Sequence, residues 1–136
     1  MVKAKSEGFH ELLFLGDLLD VPYVDLPTSR ANLEKRPDVV KDTIRSLFGA
    51  MRWWREHPEE TTAGIATRFD VSPSEAREAY NSFTRIMTVT GDVRESSIRT
   101  YVQTVSQVNG VRPDLSLDGL VDTRLLREVQ TELGIK

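Results

Sequence analysis

The spacing of apolar residues along the chain changes near residue 30. Before this point, two short apolar runs cover residues 9–15 and 23–26, separated by a segment that contains Gly16 and Pro22. Short apolar runs bounded by glycine and proline are typical of β-strands. Because two isolated strands are only marginally stable, we expect residues 1–30 to form a strand-like or hinge-like segment that other strands or helices must cover.

From residue 31 onward, apolar residues recur every three or four positions, which predicts amphipathic helices. A short helical turn is expected over residues 31–35. Pro37 suits the first turn of the next helix, because its ring fixes a helical φ and its missing N–H is not needed there. That helix should end near Glu56. Its apolar stripe consists of Val40, Ile44, Leu47, Phe48, Met51 and Trp54.

The next two helices also begin at prolines. Pro58 precedes two glutamates, whose negative charge suits the positive end of a helix dipole. Ser72 and Glu75 have the spacing of a capping box around Pro73, which predicts a helix start at that proline. The buried sides are predicted to comprise Ile65, Ala66 and Phe69 in the first helix, and Ala76, Ala79, Tyr80, Phe83, Ile86 and Met87 in the second.

Two further helices complete the pattern. Asp92, three residues before Glu95, predicts a capped helix start, and Gly110 predicts its end. The last helix should begin at about Asp122 and end at Gly134. The apolar stripes are Ile98, Tyr101, Val102, Val105 and Val108 in the first of these helices, and Leu125, Leu126, Val129 and Leu133 in the second.

These elements predict a mainly α fold, with five or so amphipathic helices and one or two short N-terminal strands. We divide the chain into a strand-like or hinge-like segment over residues 1–30 and a helical portion over residues 31–136, together forming one compact domain. The length of 136 residues is sufficient for one hydrophobic core.

Composition and charge narrow the function classes. The net charge of −3 disfavours a nucleic-acid binder, which usually presents a basic face. The chain has no cysteine, so disulfides and thiolate metal sites are absent. No apolar run approaches the roughly 20 residues of a membrane span. The N-terminal residues also lack the apolar segment of a signal peptide.

Catalytic and metal-binding patterns are missing from the sequence. His10 and His57 are the only histidines and belong to different predicted elements, and no group of acidic residues and histidines has metal-ligand spacing. His57 directly precedes Pro58 and is best interpreted as a helix-junction residue. The sequence contains neither a G-x-S-x-G nucleophile motif nor a glycine-rich phosphate loop. We therefore predict a protein that is not an enzyme and has no metal or cofactor.

Two local features suggest binding surfaces. Trp53 and Trp54 lie between two arginines and could form an aromatic platform, but the favoured explanation is that one indole is in the core and the other packs under a neighbouring helix. Residues 65–80 resemble the helix-turn-helix of bacterial DNA-binding regulators. Asp70 stands in the turn where glycine is common, and the second helix is acidic, which opposes contact with phosphates.

The order of several short motifs resembles a known family. Residues 32–40 read N-L-E-K-R-P-D-V-V and residues 50–60 read A-M-R-W-W-R-E-H-P-E-E. The series continues through Val71-Ser72-Pro73, Gly91-Asp92-Val93, Val108-Asn109-Gly110 and Val121-Asp122. Upstream, Lys5, Gly8-Phe9, Leu12 and the run 18–22 fit the same order. Together these motifs are similar to the nitrate/sulfonate/taurine-type substrate-binding proteins of ABC importers, a group that includes thiamine-precursor binders.

The resemblance implies a fragment of a two-lobed, periplasmic-binding-protein-like α/β fold. This chain would supply the C-terminal part, including the last crossing between lobes near residues 23–29 and the helices that follow. It implies transport of a small anionic or heterocyclic solute, an ABC permease as partner, no nucleic acid, and a periplasmic or lipid-anchored extracellular parent protein. Thr28, Ser29 and Arg30, next to the implied crossing, are the candidate ligand-binding residues.

Three alternatives therefore remain open from the sequence. The leading one is the C-terminal portion of a solute-binding component that binds its solute only in the full-length protein. The others are a small helix-turn-helix regulator that binds DNA through residues 72–85, and a helical protein-interaction module. A further hypothesis is that the unpaired edges of the two predicted strands favour self-association or strand exchange.

Overall fold

Helices account for most of the backbone that a computed structural model describes. The structure describes residues 4, 7–14, 16, 18, 22, 25–110 and 121–135. Within these ranges it contains no strand and six helices, so the predicted mainly α class is confirmed. The helices are α1 (Arg30–Lys35), α2 (Pro37–Glu56), α3 (Pro58–Phe69), α4 (Pro73–Ile86), α5 (Glu95–Asn109) and α6 (Arg124–Leu133).

The prediction of short N-terminal strands is wrong for the residues that can be compared. Residues 9–14 and 25–29 have irregular backbone, and the Leu12 side chain is 98% exposed. A strand requires a hydrogen-bonded neighbour, and the described part of the chain supplies no sheet edge for these runs to join. Leu15, Tyr23 and Val24, which belong to the same predicted strands, lie outside the described residues.

Prolines set the start of three helices, as the sequence predicts. α2, α3 and α4 begin at Pro37, Pro58 and Pro73. The capping box of α4 is fully formed: the Ser72 N–H donates to Glu75 Oε2 at 2.9 Å, and the Glu75 N–H donates to Ser72 Oγ at 3.3 Å. Both bonds satisfy amides that have no partner within the helix.

The predicted capping role of Asp92 is wrong. The N-cap of α5 is Arg94, whose side chain makes no capping hydrogen bond. The Asp92 carboxylate instead accepts from Gln130 Nε2 at 3.2 Å and pairs with Arg127 at 2.9 Å. Two donors on α6 therefore hold the carboxylate away from the amides of α5. The glycine ends are confirmed, since Gly110 and Gly134 take left-handed φ angles of 64° and 67°.

The chain divides into two compact units. The first contains Met1–Leu15 and Leu47–Val89, and the second contains Gly16–Ser46 and Thr90–Lys136. In the first unit, α3 and α4 pack against each other across a three-residue turn that begins at Asp70, whose φ of 51° is left-handed. Aspartate tolerates this conformation better than most residues. The buried side chains of this unit are Phe48, Thr61, Thr62, Ala76 and Tyr80.

In the second unit, the first part of α2 lies beside α6. Lys41 Nζ pairs with Glu128 at 3.3 Å, and Arg45 Nη2 pairs with Glu132 at 2.6 Å. Both pairs advance by four residues on each helix, so the two segments run in the same direction. Val129 is fully buried on α6. The buried Gln130 donates from Nε2 to the Thr90 carbonyl at 2.6 Å and thereby anchors the segment before α5.

Replacing Ser72 with alanine should destabilise the first unit by about 1 kcal/mol, because it removes the hydroxyl that accepts the Glu75 amide. Urea unfolding followed by circular dichroism measures this change in the free energy of unfolding. Ser82→Ala is the matched control, because Ser82 is exposed in the middle of the same helix. An equal loss in both variants would contradict the capping role.

Candidate functional site

Two of the three predicted ligand-binding residues form the entry to α1. Ser29 is its N-cap, and its hydroxyl accepts the Asn32 N–H at 3.2 Å. The Thr28 hydroxyl accepts from Asn32 Nδ2 at 3.3 Å. Both side chains are exposed, and each hydroxyl keeps its own O–H as a donor. The sequence at this point therefore folds into a small polar cap with two hydroxyl donors at the surface.

Arg30, the first residue of α1, is also exposed, and its charge acts on Asp122 in the same unit. We call the charged residues Arg30, Glu34, Asp122 and Arg124 the Arg30 cluster. Arg124 Nη2 pairs with Asp122 Oδ2 at 2.6 Å, and the Arg124 N–H donates to Asp122 Oδ1 at 3.0 Å. These bonds hold Asp122 directly in front of α6.

Charges on α1 affect the pKa values of the two residues of the Arg30 cluster that lie at the start of α6. The pKa of Asp122 is lowered, first by the hydrogen bonds from the Arg124 side chain and backbone, and further by the charges of Arg124 and Arg30. The pKa of Arg124 is raised, chiefly by its hydrogen bond to Asp122, with contributions from Glu128 and Glu34. Arg30 and Glu34 on α1 therefore lie within electrostatic reach of the residues that begin α6.

The charges of the Arg30 cluster are unevenly compensated. Asp122 neutralises Arg124 by direct contact, whereas Arg30 forms no ion pair within the described part of the chain. An arginine that is solvated and uncommitted can bind a planar anion through two parallel N–H donors. The arrangement can therefore offer one guanidinium and two hydroxyl donors to a small anion. It holds no nucleophile that is paired with a general base.

Sequence reasoning missed Asp122 and Arg124 as members of this group. The two residues lie far from Arg30 in sequence, so their proximity depends on tertiary packing. The local signal was the spacing of Asp122 and Arg124, which lie on either side of the residue before α6. An aspartate two positions before an arginine can accept hydrogen bonds from both the backbone amide and the guanidinium of that arginine.

The tandem tryptophans have different environments in the first unit. Trp54 stacks on Tyr80 at 5.3 Å, and its indole N–H donates to Thr84 Oγ1 at 2.8 Å. Trp54 is half-buried, so it borders the buried Tyr80 without itself being fully buried. Trp53 is 48% exposed and stacks on His57 at 4.7 Å, so it packs on the helix junction rather than under a neighbouring helix. His57 lies at that junction as predicted, and His10 is exposed within residues 7–14.

The α3–turn–α4 pair has the order of elements found in a helix-turn-helix, but its charges are already engaged. Arg77 on α4 pairs with Glu59 on α3 at 2.5 Å. Glu75 takes part in the capping box at the start of α4. A second helix that reads DNA usually presents donors to phosphates and bases near its N-terminus. In this chain, the N-terminal end of α4 presents the Glu75 carboxylate and Arg77, and Arg77 is already paired with Glu59.

Other features typical of binding sites are weakly developed. A shallow surface depression is lined by Ala63, Gly64, Thr67 and Arg68, all of them from α3. One helix cannot enclose a small molecule. Across residues 25–110, 121–135 and the described N-terminal positions, no three acidic, histidine or cysteine side chains are grouped to hold a metal ion. No helix in the same part of the chain has the length and apolarity needed to cross a lipid bilayer.

Comparison with known proteins adds no relative, because no family model, curated protein or solved structure matches this chain.

Replacing Arg124 with alanine should raise the pKa of Asp122 towards the ordinary aspartate value of about 3.9, because it removes the first cause of the lowering. A carboxyl group with a lowered pKa stabilises the fold above its unfolded pKa and loses this contribution as the pH falls. The stability difference between the wild-type protein and the variant should therefore be present at neutral pH and disappear in acid.

Carboxyl-carbon NMR titration measures the Asp122 pKa directly, and urea unfolding at several pH values measures the stability difference. Arg99→Ala is the control, because Arg99 pairs with Glu95 on α5 and should leave Asp122 unchanged. An Asp122 pKa that stays low in Arg124→Ala would contradict the assigned cause.

Proposed function

We propose that this chain is the C-terminal helical portion of the solute-binding component of an ABC importer, and that its parent protein is periplasmic or lipid-anchored outside the cell. The support from the sequence is the ordered series of motifs, from residues 32–40 through 50–60 to Val121-Asp122. The helices that these motifs open or close have the predicted order and closely matching bounds. The proposal involves no chemical step.

The observation that carries the proposal is how little apolar surface the helices bury. Within the described ranges, four apolar side chains are buried: Phe48, Ala76, Tyr80 and Val129. A domain of this length ordinarily buries many more of its large apolar residues. Amphipathic helices that leave their apolar stripes open are the expected form of a portion that packs on another lobe.

The exposed apolar residues lie on the sides that periodicity assigns to a core. Phe69 ends the buried side of α3 and is 69% exposed, and Phe83 lies on the side of α4 that contains the buried Ala76 and Tyr80, yet it is 47% exposed. Exposed aromatic side chains on a core-facing stripe favour a covering surface. An α/β lobe of the parent protein would provide such a surface.

Within this proposal, Arg30 is the best candidate for solute recognition. Its guanidinium is exposed and makes no ion pair in the described part of the chain, and the hydroxyls of Thr28 and Ser29 lie next to it. Closure of two lobes would remove water from this point and strengthen each polar contact to the solute. Thr28 and Ser29 also stabilise α1, so their roles in folding and binding must be separated experimentally.

The reading frame upstream of Met1 is the first test of the proposal. Two α/β lobes encoded in the same frame are the expected result. An in-frame stop directly before Met1, with no such lobes, would overturn the proposal.

Replacing Arg30 with glutamine in the full-length parent protein should weaken binding of an anionic solute by about tenfold or more, the usual effect of losing a charge-assisted hydrogen bond. Calorimetric titration with nitrate, taurine and an aminopyrimidine measures the affinities. Arg36→Gln is the matched control, because Arg36 is an exposed arginine just after α1. Thr28→Ala tests the neighbouring hydroxyl. Unchanged affinities in all variants would remove residues 28–30 from the site.

A DNA-binding regulator is the second candidate function, and the short turn between α3 and α4 favours it. The engaged charges at the start of α4 oppose it, because a phosphate would have to displace Glu59 from Arg77.

Fluorescence anisotropy with a mixed-sequence duplex should therefore detect no binding tighter than about 10⁻⁴ M at physiological salt, the weak end of non-specific DNA affinity. Arg77→Ala should have no effect on this result, and Arg99→Ala on α5 is the control. Binding that weakens steeply with salt and is lost only in Arg77→Ala would establish the DNA-binding alternative.

A further inference from the structure

Helix α5 ends on an asparagine that is followed by a glycine. Asn109 is the last residue of the helix, and Gly110 is its C-cap with a left-handed φ of 64°. Both residues are exposed. Among the described residues, a Cβ atom added at Gly110 would meet no atom within 4 Å beyond its chain neighbours. The Asn109 side chain and the Gly110 amide are therefore adjacent groups at a helix end that water can reach.

An asparagine side chain can react with the backbone amide of the residue that follows it. The Gly110 nitrogen attacks Asn109 Cγ, an N–C bond forms, and the bond between Cγ and Nδ2 breaks. Ammonia leaves and takes with it the proton of the Gly110 amide. Water then opens the cyclic imide at either carbonyl, which gives aspartate or isoaspartate. Glycine favours the attack because it has no side chain to hinder its nitrogen.

The intact last turn of α5 engages both reacting groups in hydrogen bonds. Asn109 Nδ2 donates to the Val105 carbonyl at 2.8 Å, and the Gly110 N–H donates to the Gln107 carbonyl at 3.3 Å. No basic residue lies in this turn to complement the negative end of the helix dipole. Helix ends open at a much lower free energy than the rest of a fold. Fraying of one turn therefore releases both groups without unfolding the remainder of α5.

The two other asparagines of the chain lack this combination. Asn32 is followed by a leucine, and its side chain donates to Thr28 Oγ1 at 3.3 Å. Asn81 lies in the middle of α4 and is followed by Ser82. At both positions the attacking nitrogen belongs to a residue with a side chain. At Asn81 the reaction also requires the interior of a helix to open.

Conversion of Asn109 would weaken the end of α5. A carboxylate cannot donate to the Val105 carbonyl, so the hydrogen bond from Nδ2 is lost. The new negative charge also lies at the negative end of the helix dipole, where it is unfavourable. In isoaspartate the backbone runs through the side chain, and the added methylene disturbs the regular spacing of the helical hydrogen bonds.

We propose that Asn109-Gly110 is a site of spontaneous deamidation, through which the chain slowly modifies itself and loosens the last turn of α5. Each conversion makes the net charge of −3 more negative by one. The reaction requires water but no oxidant, metal or second protein. The proposal does not rest on the proposed transport function.

Incubation of the whole chain in mildly alkaline buffer, followed by peptide mass spectrometry, measures the reaction at each asparagine. The exchange of NH2 for OH changes the mass, and fragmentation assigns the change to a residue. Asn109 should react at least about tenfold faster than Asn81, because a helix end opens more readily than a helix interior. Asn109→Gln is the matched control, because it keeps the amide but must close a larger ring, and it should remain unmodified.

Gly110→Ala separates the chemistry from simple fraying. Alanine is strained at a left-handed C-cap and should fray the end of α5 further. It should nevertheless slow the reaction at Asn109, because its methyl group hinders the attacking nitrogen. A reaction in Gly110→Ala that is as fast as in the wild-type chain, or an Asn109 that reacts no faster than Asn81, would overturn the proposed site.

Asn109→Asp reproduces the aspartate product and tests its structural effect. Amide hydrogen exchange in the last turn of α5 should be faster in this variant than in the wild-type chain, because the turn loses a hydrogen bond and gains an unfavourable charge. Asn81→Asp adds the same charge in the middle of α4 and should leave α5 unchanged. Equal exchange in Asn109→Asp and the wild-type chain would contradict the proposed loosening.

Discussion

Limited burial of apolar surface is the constraint on which the stability of this structure depends. The helices of each unit share few fully buried side chains, so hydrogen bonds at their ends and ion pairs along their sides gain importance. α6 has ten residues, and isolated helices shorter than about 12 residues are marginal in water. Its persistence therefore relies mainly on the burial of Val129 and Gln130, and the partly exposed ion pairs with Lys41 and Arg45 add a smaller contribution.

Two polar side chains fix the packing where apolar contact is scarce. In the first unit, the Trp54 indole stacks on Tyr80 and donates a hydrogen bond to Thr84. The hydrogen bond fixes the orientation of the ring, and the stacking adds apolar contact. In the second unit, Gln130 is buried and uses both ends of its amide, donating to the Thr90 carbonyl and accepting from Arg127. Each such hydrogen bond adds only modestly to the free energy of unfolding, but a buried polar group that loses its partner destabilises the fold by more.

Features that depend on neighbours in sequence were predictable, and features that depend on distant residues were not. The proline starts and glycine ends follow from backbone geometry within a few residues, and the bounds of α2, α3 and α4 agree with them. The spacing of Asp92 and Glu95 fits a helix cap, but the Asp92 carboxylate instead binds Arg127 and Gln130, which are distant in sequence. Likewise, the hydroxyls of residues 28 and 29 were visible in the sequence, whereas the effect of the Arg30 charge on the pKa of Asp122 was not.

Periodicity identifies a face that will be covered without identifying what covers it. The stripes of α3, α4 and α5 were all assigned to a core, yet Phe69 and Val108 are largely exposed, and Phe83 is 47% exposed although its ring contacts Trp54. For α3 and α4, nothing in the pattern itself distinguishes one covering surface from another. Amphipathic periodicity therefore predicts which side of a helix is covered, but not which surface covers it.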